Sequence, residues 1–221
     1  MGIAENYQRV RREIPDCVAI VVVGKMRTKE EILQAIAAGA TDIGENYVQE
    51  AQQLCCGLGD DAKRLRWHMI GHLQTNKIGR ALQVFDVVQT IDSLEKAVAV
   101  NRIAGSMGRV IPVCIEVNIG GEVTKSGVGS EYVESLAREM PKLCYLSLEG
   151  LMAIGPVVGS SEELRPYFRK MRELFDKIKV LNLPGVNMRV LSMGMSDSYK
   201  VAIEEGSNMV RVGKVIFGGR S

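Results

Sequence analysis

Apolar residues along this chain gather into short blocks, each followed by a polar or glycine-bearing turn and then by a stretch where apolar positions recur every three or four residues. The sharpest block is Cys17–Thr28, CVAIVVVGKMRT, whose valine-rich run enters Gly24 and Lys25. A short run apolar on both faces predicts a buried strand of a parallel sheet. Before it, Ile3, Tyr7, Val10 and Ile14 recur at near-helical spacing and predict a helix over residues 2–13, ended by Pro15-Asp16. After it, Thr28 with Glu31 has the form of a capping box, and Ile32, Leu33, Ile36 and Ala37 make an apolar stripe that stops at Gly39. The same unit recurs, with strands predicted at Thr41–Gly44, Trp67–Gly71, Phe85–Thr90, Ile111–Ile119, Leu146–Ile154, Arg189–Met193 and Asn208–Val212. Helices are predicted near 47–56, 75–82, 93–105, 130–139, 162–180 and 197–205. Eight strand-and-helix units in 221 residues describe an α/β fold, a single (β/α)8 barrel of the TIM type with an extra N-terminal helix. A doubly wound open sheet is the competing arrangement, which alternation alone does not separate. With no Pro- or Gly-rich linker, one domain over residues 1–221 is expected.

Composition narrows the function classes. A net charge of +2 and 5% aromatic residues give no basic face and few stacking platforms, so no nucleic-acid partner is expected. The five cysteines are odd in number and lack a Cys-x-x-Cys pair, which argues against a disulfide framework or zinc site; the vicinal Cys55-Cys56 receives no role. The polar N-terminus does not read as a signal peptide and no apolar run reaches membrane-spanning length, so a cytoplasmic protein is expected. Two local patterns are discarded. Gly57-Leu58-Gly59 follows a helix and lacks the preceding strand of a dinucleotide fingerprint, and His68 and His72 lack the intervening glutamate and the helix of a metalloprotease motif. No metal site is expected.

In a barrel, functional groups belong at the carboxyl ends of the strands. Lys25 ends strand one, and an amine desolvated there is favoured in its neutral form, able to attack an aldehyde. The bland alternative is a lysine snorkelling out of a strand end. Other strands deliver Asn46, His68, Met152, and Asn118 with a glycine-rich loop running to Lys125. After strands seven and eight come Ser192, Gly194, Met195 and Ser196, then Gly213 and Lys214, in the loops that often hold a phosphate in such barrels. Together with a strand-end lysine they point to a phosphorylated aldehyde. Arg211, if inward, supplies a cation to a cofactor ring nitrogen and weakens it as an electron sink; the competing placement is the outer face, paired with a helix.

Seven blocks stand in one order: VVVGKMRT around Lys25, DIGENYVQE at 42–50, WHMIGHLQTNK at 67–77, TKSG at 124–127, EGLMAIGP at 149–156, LSMGMSDSYKVAIEEGS at 191–207 and VRVGKVIFGGR at 210–220. Through them the chain resembles, over nearly its whole length, the pyridoxal phosphate homeostasis proteins, whose fold is similar to the N-terminal barrel of alanine racemase. The resemblance implies pyridoxal 5'-phosphate as cofactor, Lys25 as its Schiff-base lysine, Asn46 beside it, and Arg211 facing the pyridine nitrogen. It places Ser192, Ser196 and Gly213, with Met195 and Lys214, around the phosphate. Departures are Gly24 where a serine is usual before the lysine, Met26-Arg27-Thr28 for the common Thr-Lys-Pro, and Lys214 where a small hydroxyl residue is usual.

The function implied is a non-catalytic carrier that binds the cofactor reversibly and hands it to pyridoxal phosphate-dependent apoenzymes. The rival is an amino acid racemase, which in alanine racemase needs a tyrosine base from a partner's C-terminal β domain. This sequence ends at Ser221, just after the eighth unit, so the carrier is favoured, and a monomer is expected because the barrel needs no partner to complete its site. A third reading keeps the barrel but gives it another small phosphate, with Lys25 serving only for charge.

Overall fold

The computed structural model describes residues 2–122 and 126–219. Its strands are β1 (Ala19–Val23), β2 (Asp42–Glu45), β3 (Arg66–Met69), β4 (Val87–Ile91), β5 (Ile111–Asn118), β6 (Val128–Gly129), β7 (Leu146–Ala153), β8 (Val186–Ser192) and β9 (Met209–Val212). The helices that return the chain are α1 (Ile3–Glu13), α2 (Lys29–Ala37), α3 (Val48–Leu58), α4 (Ile78–Ala81), α5 (Leu94–Ser106), α6 (Val133–Glu139), α7 (Arg165–Val180), α8 (Tyr199–Glu204) and α9 (Lys214–Phe217). Every strand pairing is parallel, and β4 pairs with β5 while β1 pairs with β9. That closure makes a TIM-type (β/α)8 barrel of all strands except the two-residue β6, which lies against the carboxyl end of β5. The open-sheet alternative is excluded.

The strands pair this way because they are apolar on both sides: Val21, Val22, Ile43, Val88, Val113, Leu148 and Val210 are all fully buried. The helices turn apolar stripes onto the outside of the barrel, and α7 buries Phe168, Met171, Phe175 and Ile178. α2 starts as its capping box predicts, with the Glu31 amide donating to Thr28 Oγ1 at 3.2 Å and the Thr28 amide to Glu31 Oε2 at 2.8 Å. The extra helix α1 is tied to the barrel's rim by Tyr7, whose hydroxyl donates to Gly39 O, and by Asn6, whose amide donates to Ile216 O.

Differences from the sequence reading are local. β8 begins at Val186 rather than Arg189, because exposed Asn187 and Arg189 alternate with buried residues and leave no continuous apolar run. The stretches at 75–82, 130–139 and 162–180 each open with a 3-10 turn before the α-helix. Thr124 and Lys125, the core of the TKSG block, lie outside the described residues. Among the described residues no helix is long and apolar enough to cross a membrane, and no cluster of potential metal ligands occurs.

Candidate functional site

Strand β1 delivers Lys25 through a tight turn in which the Arg27 amide donates to Gly24 O at 2.9 Å and Met26 takes a left-handed φ of 59°. Such a backbone is strained for a residue with a side chain, and its occurrence beside Lys25 marks a site that the surrounding structure holds in place. A Cβ on Gly24 would lie 2.5 Å from Glu45 Oε1, so the Glu45 carboxyl packs directly against the backbone beside Lys25. The Lys25 ammonium sits 5.7 Å from the centroid of the Tyr47 ring.

Lys25 opens onto a cavity of about 460 Å³ lined also by Val23, Arg27, Met195, Ser196, Asp197, Arg211, Gly213, Lys214, Gly218 and Gly219. That volume lies in the range of small-ligand sites. Arg211 forms its floor. It is inward, as one of the two sequence placements required, and its guanidinium donates to Ser192 O at 2.8 Å, Ser192 Oγ at 2.7 Å and Ala153 O at 2.7 Å. Burial lowers its pKa to about 10, so it remains a cation at neutral pH. Beside the cavity, the amides of Gly213 and Val215 both donate to Ser196 Oγ, at 3.2 and 3.3 Å, which ties the loop after β8 to the start of α9. Gly194 turns the β8 loop with a φ of 94°, and a Cβ on it would lie 2.6 Å from Ala202 Cβ.

The other sequence-selected residues divide into three groups. Met195 (44% exposed) and Lys214 (side chain 69% exposed, Nζ 3.7 Å from Asp197 Oδ1) stand on the cavity rim. Ser192, His68 and Met152 are fully buried and do not line the cavity; Ser192 lies beneath Arg211. Asn46 lines a neighbouring cavity of about 270 Å³ with Tyr47, His72 and Lys77. His68 and His72 contact different aspartates, Asp42 at 2.8 Å and Asp92 at 3.7 Å, and do not converge.

Sequence reasoning missed several contributors. Arg27 places its guanidinium 4.9 Å from the Phe217 ring centroid and donates to Gly218 O at 3.1 Å, tying the Lys25 turn to the segment after β9. Gln89 was overlooked although a glutamine in the fully buried strand VVQTI was a visible anomaly, since a buried amide must find partners. Two carboxyls were overlooked as well. Burial, with Glu50 nearby, pushes Glu45 up to about 8, and burial, with Asp92 nearby, pushes Glu116 up to about 7.

Comparisons with known proteins agree with this geometry. Residues 2–221 match the family described as alanine racemase, N-terminal domain. The pyridoxal phosphate homeostasis protein of Haemophilus influenzae is 39% identical, the match covering 100% of this chain and 97% of that one. That of Schizosaccharomyces pombe is 36% identical, covering 92% and 84%. Among solved structures, PipY of Synechococcus elongatus with pyridoxal phosphate bound superposes with a TM-score of 0.89 at 31% identity, covering 98% of this chain and 100% of that one. Alanine racemase of Clostridium difficile shares the fold at a TM-score of 0.81 and 19% identity, matched over 57% of its length. This chain belongs to the alanine racemase N-terminal domain family and, within it, to the pyridoxal phosphate homeostasis proteins.

Proposed function

We propose that this protein binds pyridoxal 5'-phosphate in the Lys25 cavity and serves intracellular homeostasis of the cofactor, holding it and releasing it to dependent apoenzymes rather than turning over a substrate. The observation that carries the reading is that Lys25, Arg211, Ser196 and Gly213 all line one cavity of about 460 Å³. These residues fit the group: an amine for its aldehyde, a buried cation for its ring nitrogen, and the Ser196 hydroxyl beside Gly213 and Lys214 for its phosphate. When bound, pyridoxal phosphate supplies an electrophilic carbon and an aromatic electron sink. Lys25 provides the amine that anchors it. Arg211, held by three hydrogen bonds and still a cation at neutral pH, disfavours a second positive charge beside it, which keeps the ring a weak sink. Arg27 closes the cavity's edge through Gly218, and Met195 and Lys214 flank its mouth, where exchange with solvent occurs. Names and coverage of the relatives support the same reading, since proteins called homeostasis proteins match along their whole length. A cytoplasmic monomer completes the proposal.

The test is an absorption titration of wild type and Lys25→Ala with pyridoxal phosphate, followed by desalting. Wild type should retain a stoichiometric visible chromophore, and Lys25→Ala should lose it. Equal retention by both would remove Lys25 from the reading. Interconversion of D- and L-alanine at enzyme-like rates by the loaded protein would replace the carrier with a racemase.

A further inference from the structure

Beneath Arg211 the barrel interior holds a continuous chain of hydrogen bonds that leads away from the cavity. Its members come one each from β9, β8, β4, β3 and β2: Arg211, Ser192, Gln89, His68 and Asp42. Donor chemistry fixes the first link, and the Ser192 hydroxyl donating to Gln89 sets the order of those that follow. A guanidinium only donates, so Ser192 Oγ accepts from Arg211 at 2.7 Å. The one Ser192 proton then goes to Gln89 Oε1 at 2.7 Å. This turns the Gln89 Nε2 group to His68 Nδ1, which lies 3.0 Å away and must accept. The His68 proton therefore resides on Nε2, donated to Asp42 Oδ1 at 2.8 Å. Asp42 is the first residue of β2, so the chain ends at the amino-terminal face of the barrel, where the Thr41 hydroxyl donates to the other carboxylate oxygen.

We infer that Gln89 and His68 are positioning residues for Arg211, fixing through Ser192 where its guanidinium points and linking the ligand cavity to Asp42 on the opposite face. The inference rests on the reading of Arg211 as the group beside the cofactor's ring. Simple core filling does not explain this arrangement. Apolar side chains pack the interior of such barrels at no desolvation cost, whereas Ser192, Gln89 and His68 are all fully buried and need every partner. At its far end, burial works to raise the Asp42 pKa, and the hydrogen bonds from His68 and Thr41 outweigh it and hold the carboxyl below its usual range. A fixed anion at one end and a fixed cation at the other keep the three groups between them aligned.

The first experiment needs no variant. Nitrogen NMR of the ligand-free protein should show His68 protonated on Nε2 and bare on Nδ1. A wild-type His68 protonated on Nδ1 would reverse the chain and overturn the inference. The second experiment reads the bound cofactor. Gln89→Met, matched for size, removes the hydrogen bonds to Ser192, His68 and Met209 and should weaken pyridoxal phosphate binding about tenfold, because Arg211 is then less firmly placed. It should also move the visible absorption maximum in the direction produced by Arg211→Lys, with thermal melting recorded alongside to show that the fold survives. Asp42→Asn should move it the same way by less. If Arg211→Lys shifts the band and Gln89→Met leaves both band and affinity unchanged, the positioning role is wrong and the cofactor reading stands. If Arg211→Lys itself leaves the band unmoved, the placement of Arg211 beside the ring fails, and the role of Gln89 and His68 falls with it.

Discussion

Two walls of the barrel treat buried charge in opposite ways. On the β8–β9 side, Arg211 is buried with three acceptors around it and stays charged. On the β5 side, Glu116 is equally deep, yet its Oε2 has no hydrogen-bond partner among the described residues, and burial pushes its pKa up to about 7. Glu45, the last residue of β2, behaves like Glu116, with an unpartnered Oε2 and a pKa near 8. A buried group with directed partners holds its charge and fixes geometry, whereas one without them takes up a proton. The first wall is therefore built to place a ligand. The second makes the barrel's stability depend on pH.

Arg211→Met should break the first wall most severely. It strands the Ser192 carbonyl, the Ser192 hydroxyl and the Ala153 carbonyl, and a loss of about 3–5 kcal/mol is expected in chemical denaturation. Glu116→Gln probes the second wall. A carboxyl whose folded pKa is raised from 4.5 to about 7 contributes stability that is fully present below 4.5 and is lost as pH rises through 7. Wild type should therefore lose on the order of 2 kcal/mol relative to Glu116→Gln between pH 4.5 and pH 7.5, read from paired denaturation curves. Gly194→Ala returns to the first wall. It forces a left-handed residue and a contact with Ala202, so a melting-temperature drop equivalent to about 2 kcal/mol is expected, with weakened cofactor binding. Thr28→Ala, outside both walls, removes only the cap of α2 and should cost about 1 kcal/mol at any pH between 5 and 9. A pH-dependent loss there would blur the distinction between the walls.

What could be read in the sequence follows from how far apart the cooperating residues lie. The Thr28–Glu31 capping box, the strand-end Lys25 and the glycine-rich turns at 194 and 213 are local patterns, and each stands in the structure where its spacing predicted. The Arg211 chain is not local: its links span 19, 103, 21 and 26 residues of sequence. Ser192 therefore read as one more hydroxyl of a phosphate loop, when its single proton is committed to Gln89. His68 read as a strand-end group at the barrel mouth, when its ring points inward between Gln89 and Asp42. Strand ends shifted by a few residues where exposed and buried positions alternate, as at Asn187 and Arg189, because the apolar run that marks a fully buried parallel strand is interrupted there. The two-residue β6 and four-residue α9 are too short to carry a periodic signal.

The central claim, that Lys25 is the residue to which the cofactor is bound, is tested most directly by borohydride reduction of the pyridoxal phosphate-loaded protein followed by peptide mass spectrometry. The account predicts one stoichiometric phosphopyridoxyl adduct, on the peptide carrying Lys25, and its absence from Lys25→Ala. A principal adduct on Lys214, Lys77 or any other lysine, with Lys25 unmodified, would contradict it.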